Sequence, residues 1–143
     1  QAASLRHKLS RYDDDIARRR ELARRYDQLL GNVPQLTLPP APDADARHFD
    51  VFQNYEIEAE DRDGLRRYLQ DRGVGTLLPW GGKAVHQFAA LDCNGRLPYT
   101  EQLFTKLLML PMNTSLADAD VEYVAEQVTA YYESAAFIER SAA

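Results

Sequence analysis

The sequence is short of several residue types, and each shortage excludes a class of protein. Cysteine occurs once, at Cys93, so an intramolecular disulfide is excluded. The histidines, His7, His48 and His86, lie far apart, and this spacing offers no metal site. No apolar run is long enough to span a bilayer, and no segment resembles a signal peptide. We therefore expect a cytoplasmic protein without a bound metal.

Lysine is scarce as well, and acidic residues outnumber basic ones. The chain has three lysines, Lys8, Lys83 and Lys106, and a net charge of -5. This charge does not favour a broad surface for nucleic acid or anionic lipid, so we expect neither as a partner. One local exception is a run of arginines between residues 18 and 25, which we interpret as a solvated helix face rather than a phosphate site.

What remains is the composition of one globular domain. Hydrophobic residues make up 45% of the 143 residues, which is enough for a sizeable core. Apolar residues recur at three- and four-residue steps, or sums of them, over residues 2–30 and predict one long amphipathic helix that ends at Gly31. Its apolar stripe is longer than a small domain covers, so we expect another domain or a second subunit against it. Proline and aspartate predict an extended connector over residues 32–47.

Short strands alternate with helices in the rest of the chain. One strand is predicted over residues 48–60, where one face carries Val51, Gln53, Tyr55, Ile57 and Ala59. Two more are predicted at residues 74–79 and 109–113. The order of elements predicts an α/β (α+β) fold in which a small sheet of about three strands, parallel or mixed, is flanked by helices.

Three helices separate and follow these strands. The first begins after Asp61 and ends at Gly73, and the last begins at Ser115 or Asp118. The middle helix has Pro98 in its first turn. Its spacing predicts four inward-facing residues, which are Leu103, Phe104, Leu107 and Leu108.

The segment "LLPWGGKAVHQF", residues 77–88, is the richest in polar and unusual residues. Two glycines permit a tight turn, after which Lys83 and His86 could share one side of a helical turn, with Lys83 meeting an anion. The alternative is a simple chain reversal in which Lys83 is solvated while Trp80 and Phe88 fill the core. Spacing alone leaves both interpretations open.

Several segments together resemble a known family. They are "QAASLRHKL", "RRRELARRYDQLL", "GVGTLLPW" and "LPYTEQLFTKLLMLPMNTSLADADVEYVAEQV", in this order. They resemble the C-terminal part of DegT/StrS-type sugar aminotransferases, which are pyridoxal-phosphate enzymes of fold-type I. The resemblance implies that residues 1–31 form a long interdomain helix and that residues 48–143 form the small C-terminal α/β domain.

The resemblance also implies where catalysis occurs. Transamination needs a lysine that forms an aldimine with the cofactor, and in the family this lysine lies in the large domain, upstream of the residues present here. None of the three lysines of this chain has the family's aldimine context. The sequence also begins without Met, so we expect residues upstream. We expect pyridoxal phosphate in the parent enzyme, but neither the cofactor nor a catalytic residue in this chain alone.

The resemblance implies that the small domain closes over a sugar-nucleotide substrate and that residues 78–88 are similar to the family's "HYP" loop with a downstream His. Two departures are visible: Pro79 stands where the family often has His, and His86 follows one extra residue. The resulting candidates for substrate contact are Trp80, Lys83, His86, Asn54 and Gln87. The expected partners are the sugar nucleotide, an amino donor (Glu or Gln) and a second copy in a homodimer.

Two alternatives to a transaminase domain remain. One is a non-catalytic module used for binding or oligomerisation. The other is a family member that acts as a sugar dehydratase, in which His replaces the aldimine lysine. The three functions differ in the large domain, which this sequence does not contain.

Overall fold

The computed structural model describes residues 2–91, 95–134 and 137, so Cys93 lies outside the described residues. The helices are α1 (Ala2–Leu9), α2 (Tyr12–Leu30), α3 (Arg62–Gln70), α4 (Pro98–Lys106) and α5 (Asp118–Glu133). The strands are β1 (Leu36–Thr37), β2 (Tyr55–Ala59) and β3 (Leu107–Leu110), which form one sheet in the order β1-β2-β3. The predicted class, a three-stranded sheet flanked by helices, is confirmed.

The predicted single helix over residues 2–30 is interrupted. Ser10 and Arg11 separate α1 from α2, and the Arg11 N–H bonds to the carbonyl of Lys8, three residues back. Arg11 has φ −114° and ψ 4°, outside the helical range. Consecutive aspartates follow in the first turn of α2, where negative charge favours a new helix N-terminus. Gly31 ends α2, but in a right-handed conformation.

Helix α2 is joined to the domain by its apolar face. Leu22, Ala23, Tyr26 and Leu30 are fully buried in the main core, as are Val121 and Val128 of α5. The predicted burial of Val124 and Ala125 is also confirmed.

The arginine run on α2 is a solvated face only at Arg24, which is exposed; the interpretation is wrong for the rest of the run, which is buried or half-buried against protein groups. Arg20 is 5% exposed and donates to the carbonyl of Asp50 and the carboxylate of Asp43. A guanidinium carries five donors and can satisfy several loop carbonyls at once. The other pairs are Arg18 with Glu21 and Asp118, Arg19 with the carbonyls of Phe52 and Gln53, Arg24 with Asp43, and Arg25 with Asp118 and Glu122.

Two of the three strands differ from the prediction. The segment predicted as a connector contains β1, and residues 74–79 contribute only an isolated bridge between Leu77 and Met109. Strand β2 begins at Tyr55 because Phe52 has φ 49° and turns its ring into the core. Within β2 the alternation is as predicted, with Tyr55, Ile57 and Ala59 buried.

The sheet is antiparallel throughout, so the predicted parallel or mixed arrangement is wrong. Ile57 of β2 lies opposite Leu108 of β3, and Leu36 of β1 lies opposite Ala59. Helix α4 stops at Lys106, so Leu107 and Leu108 belong to β3 rather than to the helix. The turn between α4 and β3 is held by Arg62, which donates to the carbonyls of Phe104 and Leu107 at 3.2 and 3.0 Å.

Asp61 organises the packing of α3 against α5. Its carboxylate caps α3 by accepting from the N–H of Gly64 at 3.2 Å and also accepts from the Tyr131 hydroxyl at 2.5 Å. A Cβ at Gly64 would overlap both the Tyr131 hydroxyl and the Asp61 carboxylate. Tyr132 donates to the carbonyl of Glu60 at 2.9 Å. Both tyrosines are buried and serve as packing residues, as predicted.

Across the described part of the chain, none of the helices combines the length and the apolar character needed to cross a membrane.

Candidate functional site

The "PWGG" segment forms a turn of left-handed residues. Pro79 is buried, whereas Trp80, Gly81 and Gly82 have φ values of 50°, 70° and 81°. Glycine adopts this conformation easily, but for tryptophan it costs about 1–2 kcal/mol. The Trp80 side chain is 77% exposed. The alternative in which Trp80 fills the core is therefore wrong, and Phe88 is also 36% exposed.

The chain before this turn is joined to the sheet, and the chain after it forms a second short turn. Leu77 and Met109 exchange two backbone hydrogen bonds, of 3.2 and 2.9 Å, which join the turn to β3. After the turn, Gln87 accepts from the N–H of Ala84 at 2.9 Å and closes a 3-10 turn over Val85–Gln87. The side-chain oxygen of Gln87, a residue predicted to contact substrate, thus bonds within the loop.

His86 connects this loop to the start of α4. Its side chain is 9% exposed, and Nε2 lies 3.2 Å from Oε1 of Glu101. The same oxygen accepts from the N–H of Leu97 at 3.1 Å. The Leu97 N–H, followed by the His86 ring, holds the pKa of the Glu101 carboxyl below its usual range. Sequence reasoning missed Glu101, whose only sequence signal is a negative charge in the first turn of a helix.

A pocket of 460 Å³ lies between this loop and α4. Its walls include Trp80, Val85, His86, Leu97 and Phe104. Most of these side chains are apolar, so the pocket suits an apolar group with one hydrogen-bonding atom near the histidine.

Three of the predicted contact residues do not line this pocket. Lys83 is exposed in extended backbone before the 3-10 turn, with φ −122°. Asn54 is exposed next to β2, with Nδ2 3.5 Å from Oε1 of Glu56. Gln87 is the third. The structure therefore brings Trp80 and His86 to one pocket but leaves the other candidates outside its walls.

Within the described ranges, His, Cys, Asp and Glu side chains form no group of three that could hold a metal ion.

Comparison with known proteins relates this chain to sugar-modifying enzymes. Relatives include the "dTDP-4-dehydro-2,3,6-trideoxy-D-glucose 4-aminotransferase" of Saccharopolyspora spinosa, which is 33% identical over 83% of this chain and 30% of its own length. The "dTDP-3-amino-3,6-dideoxy-alpha-D-galactopyranose transaminase" of Aneurinibacillus thermoaerophilus is 32% identical over 92% of this chain and 35% of its own. The chain thus spans about a third of the length of these curated relatives.

Solved structures agree with the sequence comparison. DesV from S. venezuelae, solved in complex with a ketimine intermediate, matches 94% of this chain and 36% of its own with a TM-score of 0.81 and 30% identity. The structural neighbours are aminotransferases of fold-type I. The family described as the DegT/DnrJ/EryC1/StrS aminotransferase family matches residues 1–129. The resemblance seen in the sequence is therefore confirmed, and the chain belongs to the DegT/DnrJ/EryC1/StrS aminotransferase family.

Proposed function

We propose that this chain is the small C-terminal domain of a pyridoxal-phosphate-dependent sugar-nucleotide aminotransferase, which transfers an amino group from Glu or Gln to a keto-sugar. The observation that carries the proposal is the family match over residues 1–129. Two relatives named as dTDP-sugar aminotransferases, each at least 32% identical, support this substrate class.

In this proposal the loop over residues 77–88 is part of the substrate site. Trp80 and His86 line one pocket, and Trp80 keeps an exposed ring on a left-handed backbone. Strained backbone of this kind is commoner at functional sites than elsewhere, because the surrounding structure must hold it. Lys83 is exposed at the same turn, where an ammonium could meet a diphosphate. Asn54 and Gln87 are secondary candidates because each already contacts a protein group.

The described residues of this chain do not by themselves fit the cofactor. An aldimine lysine needs a desolvated site with anion-binding donors around the cofactor phosphate. Lys8 and Lys83 are exposed. Lys106 is half-buried in an open groove beside Glu58 and Tyr99, where a carboxylate would oppose a phosphate. We therefore assign the cofactor site to a large domain outside this chain and derive no catalytic step within it.

The proposal is tested with the longer enzyme that contains this chain. Purified enzyme, pyridoxal phosphate, glutamate or glutamine and a panel of dTDP- and UDP-keto-sugars should yield an amino sugar. Lys83→Ala should lower kcat/KM for the sugar nucleotide by roughly ten- to a hundredfold, the expected loss of one charge-assisted hydrogen bond, and His86→Ala should lower it by about tenfold, the loss of an uncharged one. Lys8→Ala is the matched control, since Lys8 lies on α1.

Absence of amination with every sugar nucleotide would refute the proposed function. Wild-type kinetics in both loop variants would refute the role of the loop alone. With the 143-residue chain by itself, borohydride should fix no cofactor, and a reducible aldimine on Lys83 would contradict the assignment of the cofactor site.

A second candidate function, association of two copies, is favoured by one observation. Leu5, Leu9 and Tyr12 line an open surface pocket at the break between α1 and α2 and are 50–59% exposed. Burying each such side chain in an interface between two copies contributes about 1.5–3 kcal/mol to the free energy of association. In sedimentation at tens of micromolar, the chain should self-associate and Leu9→Glu should dissociate it. A monomeric wild-type chain would refute this candidate.

A further inference from the structure

One carboxylate oxygen of Glu101, Oε1, lies within hydrogen-bond distance of two donors. Only one of these donors belongs to the N-terminus of α4. The N–H of Leu97 lies 3.1 Å from Oε1, and Nε2 of His86 lies 3.2 Å from it. The first contact caps α4, as a carboxylate in the first turn commonly does. The second reaches back fifteen residues to a loop that shares no secondary structure with α4. Capping alone does not require the second contact.

The chemistry of the pair determines which ring nitrogen carries the proton. An ionised carboxylate only accepts hydrogen bonds, so Nε2 must be the donor. In a neutral imidazole the other nitrogen, Nδ1, is then an acceptor. Among the described residues no partner bonds to Nδ1. The His86 ring forms part of a pocket wall whose other members are mostly apolar.

We propose that Glu101 is a positioning residue for substrate binding, which fixes the His86 ring by accepting from Nε2–H and leaves Nδ1 as the acceptor for a hydroxyl or amine of the ligand. This inference rests on the proposed function for the identity of the ligand. Glu101 does not contact the ligand. It acts on ligand binding through the His86 ring.

Asp120 supplies a matched control elsewhere in the chain. Its Oδ2 accepts from the N–H of Ala117 at 2.8 Å in the first turn of α5, as Glu101 does in α4. The described contacts of Asp120 include no histidine. Removing its carboxylate therefore measures the loss of a helix cap without the loss of an imidazole partner.

The first experiment observes the His86 ring by NMR in the 143-residue chain. A proton on Nε2 that exchanges slowly with water is expected in the wild-type chain, and His86→Gln assigns it. Glu101→Leu should abolish this signal, Glu101→Gln should restore it through its carbonyl oxygen, and Asp120→Leu should leave it unchanged. A wild-type ring that carries a proton on Nδ1, whether neutral or doubly protonated, or a signal that survives Glu101→Leu, would overturn the proposal. The wild-type spectrum decides the protonated nitrogen even if Glu101→Leu fails to fold.

The second experiment is a double-mutant cycle in the longer enzyme with its sugar nucleotide. Glu101→Leu and His86→Ala should each lower kcat/KM about tenfold, mainly through KM, because each removes the same oriented hydrogen bond. The double variant should be no worse than His86→Ala, since Glu101 acts through His86. Additive losses, or a Glu101→Leu enzyme with wild-type KM, would refute the role of Glu101. An enzyme that aminates no sugar nucleotide refutes the proposed function instead, and the NMR result still decides the orientation of His86.

Discussion

Two regions of this chain use their apolar residues in opposite ways. In the core formed by α2, β2, α3 and α5, large side chains such as Tyr26, Ile57 and Leu69 are completely buried. In the region formed by residues 77–91 and α4, Leu77, Trp80 and Tyr99 are 68–89% exposed, and α4 has no fully buried residue. The first region therefore carries stability, while the second retains apolar surface that a ligand or another part of a larger protein can cover.

The largest expected effect tests this division directly. Ile57→Ala should lower the free energy of unfolding by about 2–5 kcal/mol, because it opens a cavity at a fully buried position in the central strand. Leu103→Ala, on α4, should cost about 1 kcal/mol or less, because Leu103 is 37% exposed. Urea denaturation of both variants measures the two costs. Equal costs would mean that the two regions are not distinct.

The contact of α3 with α5 should be almost as sensitive. Gly64→Ala places a methyl group against the Tyr131 hydroxyl and the Asp61 carboxylate, so we expect a loss of about 2–3 kcal/mol despite the better helix propensity of alanine. Gly75→Ala is the control, since a methyl group there meets no atom within 4 Å among the described residues. Thermal melts compare them, and a stabilised Gly64→Ala would contradict the packing described here.

The arginine contacts allow a finer comparison, because Arg20 and Arg24 share the Asp43 carboxylate. Their side chains are 7% and 47% exposed. Arg20→Ala should lower the free energy of unfolding by about 2 kcal/mol, since it leaves the Asp50 carbonyl without this donor. Arg24→Ala should cost less than about 1 kcal/mol, as exposed ion pairs do. Chemical denaturation distinguishes them, and an equal cost would argue against the burial of Arg20.

The smallest effect is expected at Trp80. Trp80→Gly removes a largely exposed ring and relieves the left-handed backbone, but it increases the entropy of the unfolded chain. These changes offset each other, so the free energy of unfolding should change by less than about 1 kcal/mol. Calorimetry of the wild type and the variant measures this. A loss of about 3–5 kcal/mol, typical of a buried aromatic residue, would restore the interpretation that the ring fills the core.

The parts of the fold that follow from local pattern were predictable. Helical spacing identified the buried face of α5, and strict alternation identified Tyr55, Ile57 and Ala59. The two-residue strand β1 was not predictable, because its pairing with β2 depends on contacts between residues distant in sequence. For the same reason the alternation seen at residues 51–53 did not reveal that Phe52 turns into the core.

The candidate site was only partly predictable. The two glycines correctly indicated a tight turn near residue 81, but the left-handed Trp80 had no sequence signal because tryptophan rarely adopts that conformation. The pairing of His86 with Glu101 joins two segments fifteen residues apart. Spacing within a loop does not reveal such a contact.

The short sheet also affects how this domain can aggregate. Strand β1 has two residues and is followed by Pro39 and Pro40, which lack the N–H needed to extend a ladder. At the opposite edge, in β3, the N–H and C=O groups of Met109 are already hydrogen-bonded to Leu77. Neither edge offers a long row of free N–H and C=O groups in the described part of the chain, so edge-to-edge addition of strands from other copies is disfavoured. Unspecific association of this chain should instead involve exposed apolar side chains such as those of Leu5 and Leu9.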